Sequence, residues 1–337
     1  MIIVLKPGVS ARDTSAVLKE IKRLGYRPHT MHGVARTVIG AIGDERRHQS
    51  LDVLRAWPQV ESVTPIQKRY KLVSREAHPQ NSTVLARDVV IGGPRVVIMA
   101  GPCSVESERQ ILETAHAVRE AGASVLRGGA FKPRTSPYEF QGLGEKGLRL
   151  LSKARRETGL AVVTELLSET HADLVAEHAD ILQIGARNAQ NFQLLIAAAK
   201  TGRPVLLKRG LSMKIEEWLL AGEYVLSNRN AGLLFCERGI RTFETYTRNT
   251  LDLSAIPILK QESHCPVVID PSQGAGRADL VMALSKGAVA MGADALLLEV
   301  HPNPKEALSD SAQQLSIEAF RRLMAGLKPF VEAAGRE

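Results

Sequence analysis

From residue 96 onward the chain repeats one rhythm. A short, nearly unbroken apolar run is followed by a longer stretch in which apolar residues recur every third or fourth position. The runs are VVIMAG (96–101), SVLRGG (124–129), AVVTEL (161–166), ILQIG (181–185), PVLLKRG (204–210), GLLFCERG (232–239), PVVIDPS (266–272) and ALLLEVH (295–301). Helical patterns such as SERQILETAHAVREAG and NFQLLIAAAKTG separate most of them. Strands without polar alternation fit a parallel sheet buried on both faces. Eight β-then-α units in about 240 residues predict an α/β fold, a closed (β/α)8 TIM barrel over 96–337.

The first 70 residues are patterned differently. IIVLK, YRPHTMHG, TVIGAIG and VESVTPI are strand-like, while SARDTSAVLKEIKRLG, ending at Gly25, and SLDVLRAW are helix-like. The order βαββαβ predicts a small α+β ferredoxin-like domain over 1–70. Residues 71–95 mix turn residues with two short β-like runs and are expected to be a linker and a hairpin.

The barrel pattern says where chemistry should gather. Its runs end in Cys103, Arg127, Glu165, Arg187, Lys208, Glu237 with Arg238, Gln273 and Glu299. Strand C-termini share one face of a barrel, so these groups should share one pocket. The loop GGAFKPRTSPYEFQG adds Lys132, Arg134, Thr135 and Ser136 around Pro133 and Pro137, a set suited to phosphate. Buried cations at Arg127, Lys132, Arg187, Lys208 and Arg238 need partners. An anionic guest would serve, and so would Glu165, Glu237 and Asp270. Cys103, Glu299 and Asp310 offer one thiolate and two carboxylates to a divalent ion, with a ligand missing. Gln273, His301 and His264 are all candidates for that place.

Composition narrows the partners. With 44% hydrophobic and 24% charged residues, the 337-residue chain can bury a large core, and no apolar run is long enough to cross a membrane. Net charge is +8, but the basic runs RRHQ (46–49) and QKRYK (67–71) are short and aromatics are only 4%. A nucleic-acid surface is therefore not expected; the excess is either a solvated surface or, in large part, a pocket for phosphorylated substrates. Three cysteines, Cys103, Cys236 and Cys265, suggest a reducing cytoplasm rather than disulfides. Cys236 and Cys265 are expected in the core.

At this point the residues are specific. GPCSVES, RGGAFKPRTSPYEFQGLGEKGL, QIGARN, LLKRG, ERGIRTFE, IDPS and EVHPNPKEALSD occur in that order at the strand ends. Together they closely resemble the 3-deoxy-D-arabino-heptulosonate 7-phosphate (DAHP) synthases of the short-barrel type with an N-terminal ferredoxin-like regulatory domain. The resemblance implies the first step of the shikimate pathway, an aldol-type condensation of phosphoenolpyruvate with erythrose 4-phosphate. It assigns phosphoenolpyruvate to Arg127, Lys132, Arg187, Lys208 and Arg238, and the aldose phosphate to Lys132, Pro133, Arg134 and Thr135, with Ser136 beside them. Arg127, Lys132 and Glu165 are the catalytic candidates. Cys103, Glu299 and Asp310 become three metal ligands, with Mn²⁺ the favoured ion.

The family's fourth ligand is a histidine in a DPSH-type motif, and this chain has Gln273 there. Three readings stand open: a weak ligand through its carbonyl oxygen, a residue of a site that has become metal-independent, or a disabling change in a binding protein. The resemblance also implies a homotetramer and a tyrosine or phenylalanine effector; His29 and His32 are either plain surface histidines, the favoured reading, or contacts to that effector. Two other activities compete. One is the sister condensation with arabinose 5-phosphate, against which the KPRTS loop speaks; the other is a non-catalytic aromatic-amino-acid sensor.

Overall fold

The computed structural model describes residues 1–32, 36–43, 48–64, 68–134 and 136–337. Two compact units divide the chain, Met1–Arg69 and Tyr70–Glu337. Outside the described residues lie the last two residues of VESVTPI, the arginines of RRHQ, Gly33, Gln67, Thr135 and the side chain of His32.

The first unit runs β1 (Ile2–Leu5), α1 (Ala11–Arg23), β2 (Arg27–His32), β3 (Thr37–Ile42), a 3-10 turn (Leu51–Ala56) and β4 (Val60–Thr64). Its sheet has the order β2-β3-β1-β4, with β1 antiparallel to both neighbours. Ser10 starts α1 by accepting from the Asp13 amide at 3.1 Å, and Gly25 (φ 100) follows its end as the sequence predicts. Val17 and Ile21 on α1 join Ile3, Leu5 and Ile39 in a core of the unit's own. The second predicted helix, SLDVLRAW, is only the 3-10 turn. Pro58 follows Trp57 and pushes it into the extended region (φ −78, ψ 131), so the helix cannot continue.

In the second unit, the stretch expected as a linker is fastened down. Tyr70 donates its hydroxyl to Glu262 at 2.5 Å, and the amides of Lys71, Leu72 and Val73 all donate to the Glu223 carboxylate. A hairpin follows, β5 (Val84–Ala86) and β6 (Val89–Ile91).

Eight parallel strands then close a barrel: β7 (Val97–Gly101), β8 (Val125–Arg127), β9 (Ala161–Glu165), β10 (Ile181–Ile184), β11 (Val205–Lys208), β12 (Leu233–Glu237), β13 (Val267–Ile269) and β14 (Ala295–Glu299). Between and after them lie α2 (Glu108–Glu120), α3 (Glu145–Thr158), α4 (Ala172–His178), α5 (Phe192–Lys200), α6 (Ile215–Ser227), α7 (Ala255–Glu262), α8 (Pro271–Ala275), α9 (Ala278–Ala290) and α10 (Ile317–Ala333). Nearly every strand residue is buried, as continuous apolar runs require. Inward-facing residues such as Met99, Val163, Leu234, Cys236 and Leu297 form one core with Val84, Ala86 and Ile91 of the hairpin. The hairpin thus plugs the end where the strands begin.

One strand ends early. The run PVVIDPS stops as a strand at Ile269, and α8 begins at Pro271. Proline suits the first helical position, and the Asp270 side chain caps the helix by accepting from the Gln273 amide at 2.9 Å. Gln273 therefore rides on a short helix rather than on a strand mouth.

Candidate active site

At the strand C-termini a cavity of about 320 Å³ is lined by Arg127, Lys132, Pro133, Arg134, Glu139, Glu165, Gln183, Arg187, Lys208, Arg238, Arg248, Gln273 and Asp310, with the backbone of Gly185 and Ala186. Every cation expected in one pocket is there. Ser136 is not in the wall; its hydroxyl accepts from the Tyr138 amide at 3.3 Å. Thr135 lies outside the described residues. A larger groove, about 600 Å³, between α2 and α10 is mostly apolar and holds none of these groups.

The cations divide into paired and waiting ones. Arg127 donates to Glu299 at 2.8 Å, and Lys208 to Asp270 at 2.6 Å, both pairs almost wholly buried. Burial alone lowers the Arg127 pKa, but Glu299 outweighs it and holds the guanidinium above its ordinary value. Glu237, expected as a partner for these cations, turns instead to Arg209 at 3.0 Å and to the Gly239 amide. Arg187 is exposed at the rim. Arg127 Nε, Arg134 Nη2 and Arg238 Nη1 are buried without a hydrogen-bond partner among the described residues. Buried guanidinium N–H groups left open in a cavity are an invitation to an anion.

Lys132 lies between chemistries. Its Nζ donates to the Cys103 carbonyl at 3.2 Å and sits 3.1 Å from Cys103 Sγ. Burial lowers its pKa, but Cys103 and Glu165 outweigh that and hold the ammonium above its ordinary value. Burial, with Glu299 adding, pushes the Cys103 thiol up to about 11, so it is protonated at neutral pH. The Lys132 charge then leans on the carboxylates.

Asp310 adopts a left-handed conformation (φ 50, ψ 38). Burial would raise its pKa, yet Arg248 at 3.0 Å and the Gln273 amide hold it well below the usual carboxylate range.

Among the described residues Cys103, Glu299 and Asp310 form a cluster that can hold a metal ion, their ligand atoms lying within 4.8 Å of one another. Gln273 does not complete it. Its Nε2 donates to Glu299 Oε1 at 3.1 Å and Asp310 Oδ2 at 3.0 Å, while Arg238 donates to its Oε1 at 2.9 Å. Carboxylates only accept and guanidinium only donates, so these three neighbours fix the amide with its one ligating atom turned away. The residues present do not fit a cation with four protein ligands. His301 points elsewhere, 3.3 Å from Glu106, and His264 lies at the other end of the barrel, bonded to Ser82 and the Leu72 carbonyl.

Several site residues carry no strong sequence signal. Gln183 was visible as the lone polar residue inside the apolar run ILQIG. Arg248, which reaches Asp310, comes from a loop, and Gln313, which reaches Glu299, from a three-residue 3-10 turn, Ser311–Gln313. Most of the excess charge lies outside the barrel. Residues 1–69 hold 12 Lys and Arg against 6 Asp and Glu, so six of the eight net charges belong to the first unit. The cavity wall itself still carries seven cations against the carboxylates of Glu139, Glu165 and Asp310.

A closed barrel with buried, open guanidinium groups at its C-terminal mouth defines an enzyme of the (β/α)8 class for small anionic substrates. The profile of the DAHP synthetase I family matches residues 71–333, and that of the DAHP synthase ferredoxin-like domain matches residues 1–68. A phospho-2-dehydro-3-deoxyheptonate aldolase of Thermotoga maritima is 52% identical over 335 residues, covering 99% of each chain. A crystal structure of that aldolase, a DAHP synthase, superposes with a TM-score of 0.95 at 51% identity, covering 100% of this chain and 98% of the other. A more distant relative, a 2-dehydro-3-deoxyphosphooctonate aldolase of Caulobacter vibrioides, is 34% identical over 278 residues, covering 76% of this chain and 95% of its own. The chain belongs to the DAHP synthetase I family.

Proposed function

We propose that the enzyme condenses phosphoenolpyruvate with erythrose 4-phosphate to give DAHP and phosphate. The observation that carries this is the set of open guanidinium atoms on Arg127, Arg134 and Arg238, all in one cavity. Two phosphates and a carboxylate are what such a wall can hold. Arg127, Lys208 and Arg238, deep in the cavity, with Arg187 at the rim, take phosphoenolpyruvate. Pro133 and Arg134, with Thr135 and Ser136 of the same loop, take the aldose phosphate.

The chemistry runs as follows. The C2–C3 π pair of phosphoenolpyruvate attacks the aldehyde carbon, forming the C–C bond and leaving positive character on C2. The aldehyde oxygen gains the displaced pair and takes a proton from Lys132. Water adds at C2 and gives its proton to Glu165. The C2 hydroxyl then gives its proton back to Lys132 as C2 collapses to a ketone, and the C–O bond breaks with the departing phosphate taking the proton held by Glu165. Positioning two anions against their mutual repulsion is the cavity's main contribution. Cys103, Glu299 and Asp310 are the residues that would hold a divalent ion, and two carboxylates without an imidazole favour Mn²⁺. Such an ion would supply electrophilic pull on the aldehyde, which Lys132 also provides.

The match of residues 1–68 to the DAHP synthase ferredoxin-like domain supports an effector role for the first unit; tyrosine or phenylalanine is the effector proposed and a homotetramer the assembly proposed. Three buried, unpaired cysteines agree with a reducing cytoplasm, and among the described residues no helix is long and apolar enough to cross a membrane. Phosphate release from phosphoenolpyruvate tests the reading. It should require erythrose 4-phosphate; release that depends instead on arabinose 5-phosphate would move the enzyme to the chemistry named for its 34% identical relative.

A further inference from the structure

Gln273 closes a ring of hydrogen bonds. Arg248 Nη1 donates to Asp310 Oδ1 at 3.0 Å and to Gln313 Oε1 at 3.1 Å. Gln313 Nε2 donates to Glu299 Oε2 at 2.7 Å. Gln273 Nε2 completes the circuit by donating to Glu299 Oε1 at 3.1 Å and Asp310 Oδ2 at 3.0 Å. Both oxygens of both carboxylates are thereby engaged. Glu299 and Gln313 are nearly inaccessible and Gln273 is 9% exposed, so the repulsion between the carboxylates is poorly screened. Arg127, Lys132 and Arg248 supply the offsetting charge, and the amide N–H group is the bridge. Gln273 itself is held by its backbone, with the amide capped by Asp270 and the carbonyl bonded to Asn249 at 2.9 Å. Asp310 stays in a conformation rare for a non-glycine residue, gripped by Arg248, Gln273 and the Cys103 thiol.

We propose that the Gln273 amide takes a cation's place in this chain: the Cys103–Glu299–Asp310 site is assembled, and the condensation runs, without a divalent ion. The proposal rests on the reaction given above. In it Lys132 provides the pull on the aldehyde oxygen.

The test uses the full-length enzyme, stripped by chelation and checked for residual metal by mass spectrometry. With phosphoenolpyruvate and erythrose 4-phosphate the rate should stay within about twofold of the untreated enzyme, and Mn²⁺ should add no more than that. A loss of roughly tenfold or more, restored by Mn²⁺, overturns the proposal and leaves the reaction standing. No turnover under any metal condition overturns the reaction itself. Cobalt titration gives a readout apart from activity. Wild-type protein should show no thiolate-to-cobalt absorption, because Gln273 turns its oxygen to Arg238 and its N–H group to Glu299 and Asp310. Gln273→His should gain that absorption and bind Co²⁺ on the order of 100-fold tighter. Wild-type binding as tight as that of Gln273→His sinks the idea.

Discussion

The Glu165 carboxylate lies against the bare Cα of Gly185. A methyl group added at 185 would come within 2.0 Å of Glu165 Oε1. The glycine is needed for room, not for an unusual backbone. Gly185→Ala should push Glu165 out of place and lower kcat on the order of 100-fold, the typical cost of a lost general base. The melting temperature should hardly move, since Glu165 is only half-buried and free to swing. Unchanged kcat would remove Glu165 from the water-activation step.

Lys208→Met should strand the Asp270 charge, now paired at 2.6 Å and 1% exposed. Breaking such a pair by removing one member costs about 3–5 kcal/mol. Urea unfolding should show a lower midpoint, and the double variant Lys208→Met/Asp270→Asn should recover part of the loss. Equal midpoints for wild type and Lys208→Met would mean that the pair contributes nothing.

Phosphoenolpyruvate should stabilise the fold by filling the open guanidinium sites. At a ligand concentration of about 100 times Kd the gain is about 2.7 kcal/mol. Scanning calorimetry should show the rise in Tm for wild type, and Arg238→Ala should blunt it. A full shift in Arg238→Ala would place the ligand elsewhere.

His264 gives a pH dependence away from the site. Burial holds its pKa below the ordinary 6.5, with the Leu72 carbonyl opposing. The unfolded chain therefore binds the proton more readily, and stability from the neutral ring is present above pH 6.5 and lost as pH falls below it. Tm measured against pH should fall on the acid side, and less so in a His264→Asn variant. Parallel curves for the two proteins would discount the histidine.

Deleting residues 1–69 should leave a folded, active barrel that tyrosine or phenylalanine no longer inhibits. Each unit has its own core, and a truncated DAHP synthase of Thermotoga maritima has been solved, with a TM-score of 0.74 to this chain. Unchanged inhibition would move the effector site into the barrel.

The barrel was legible because its strands carry one signal, buried on both faces, and because each ends in a polar group. Periodicity could also place Arg127, Lys208 and Arg238 at one mouth. It could not say which carboxylate each cation meets; Glu237 and Asp270, near the ends of adjacent strands, take different partners. Nor could it see the proline turning β13 into α8, which moves Gln273 beside Glu299 and Asp310. Arg248 stayed hidden in a loop and Gln313 in a three-residue 3-10 turn, neither of which leaves a period. The charge excess could not choose between a solvated surface and the pocket, because a total carries no address.

The hairpin under the barrel separates two kinds of change. Val84, Ala86 and Ile91 are stoppered into the floor, while the reacting groups hang from the opposite rim. Substitutions in the floor will alter how long the protein lasts in heat; substitutions at the rim will alter what it makes. Durability and selectivity can therefore be tuned in this chain independently, one from each end of the same eight strands.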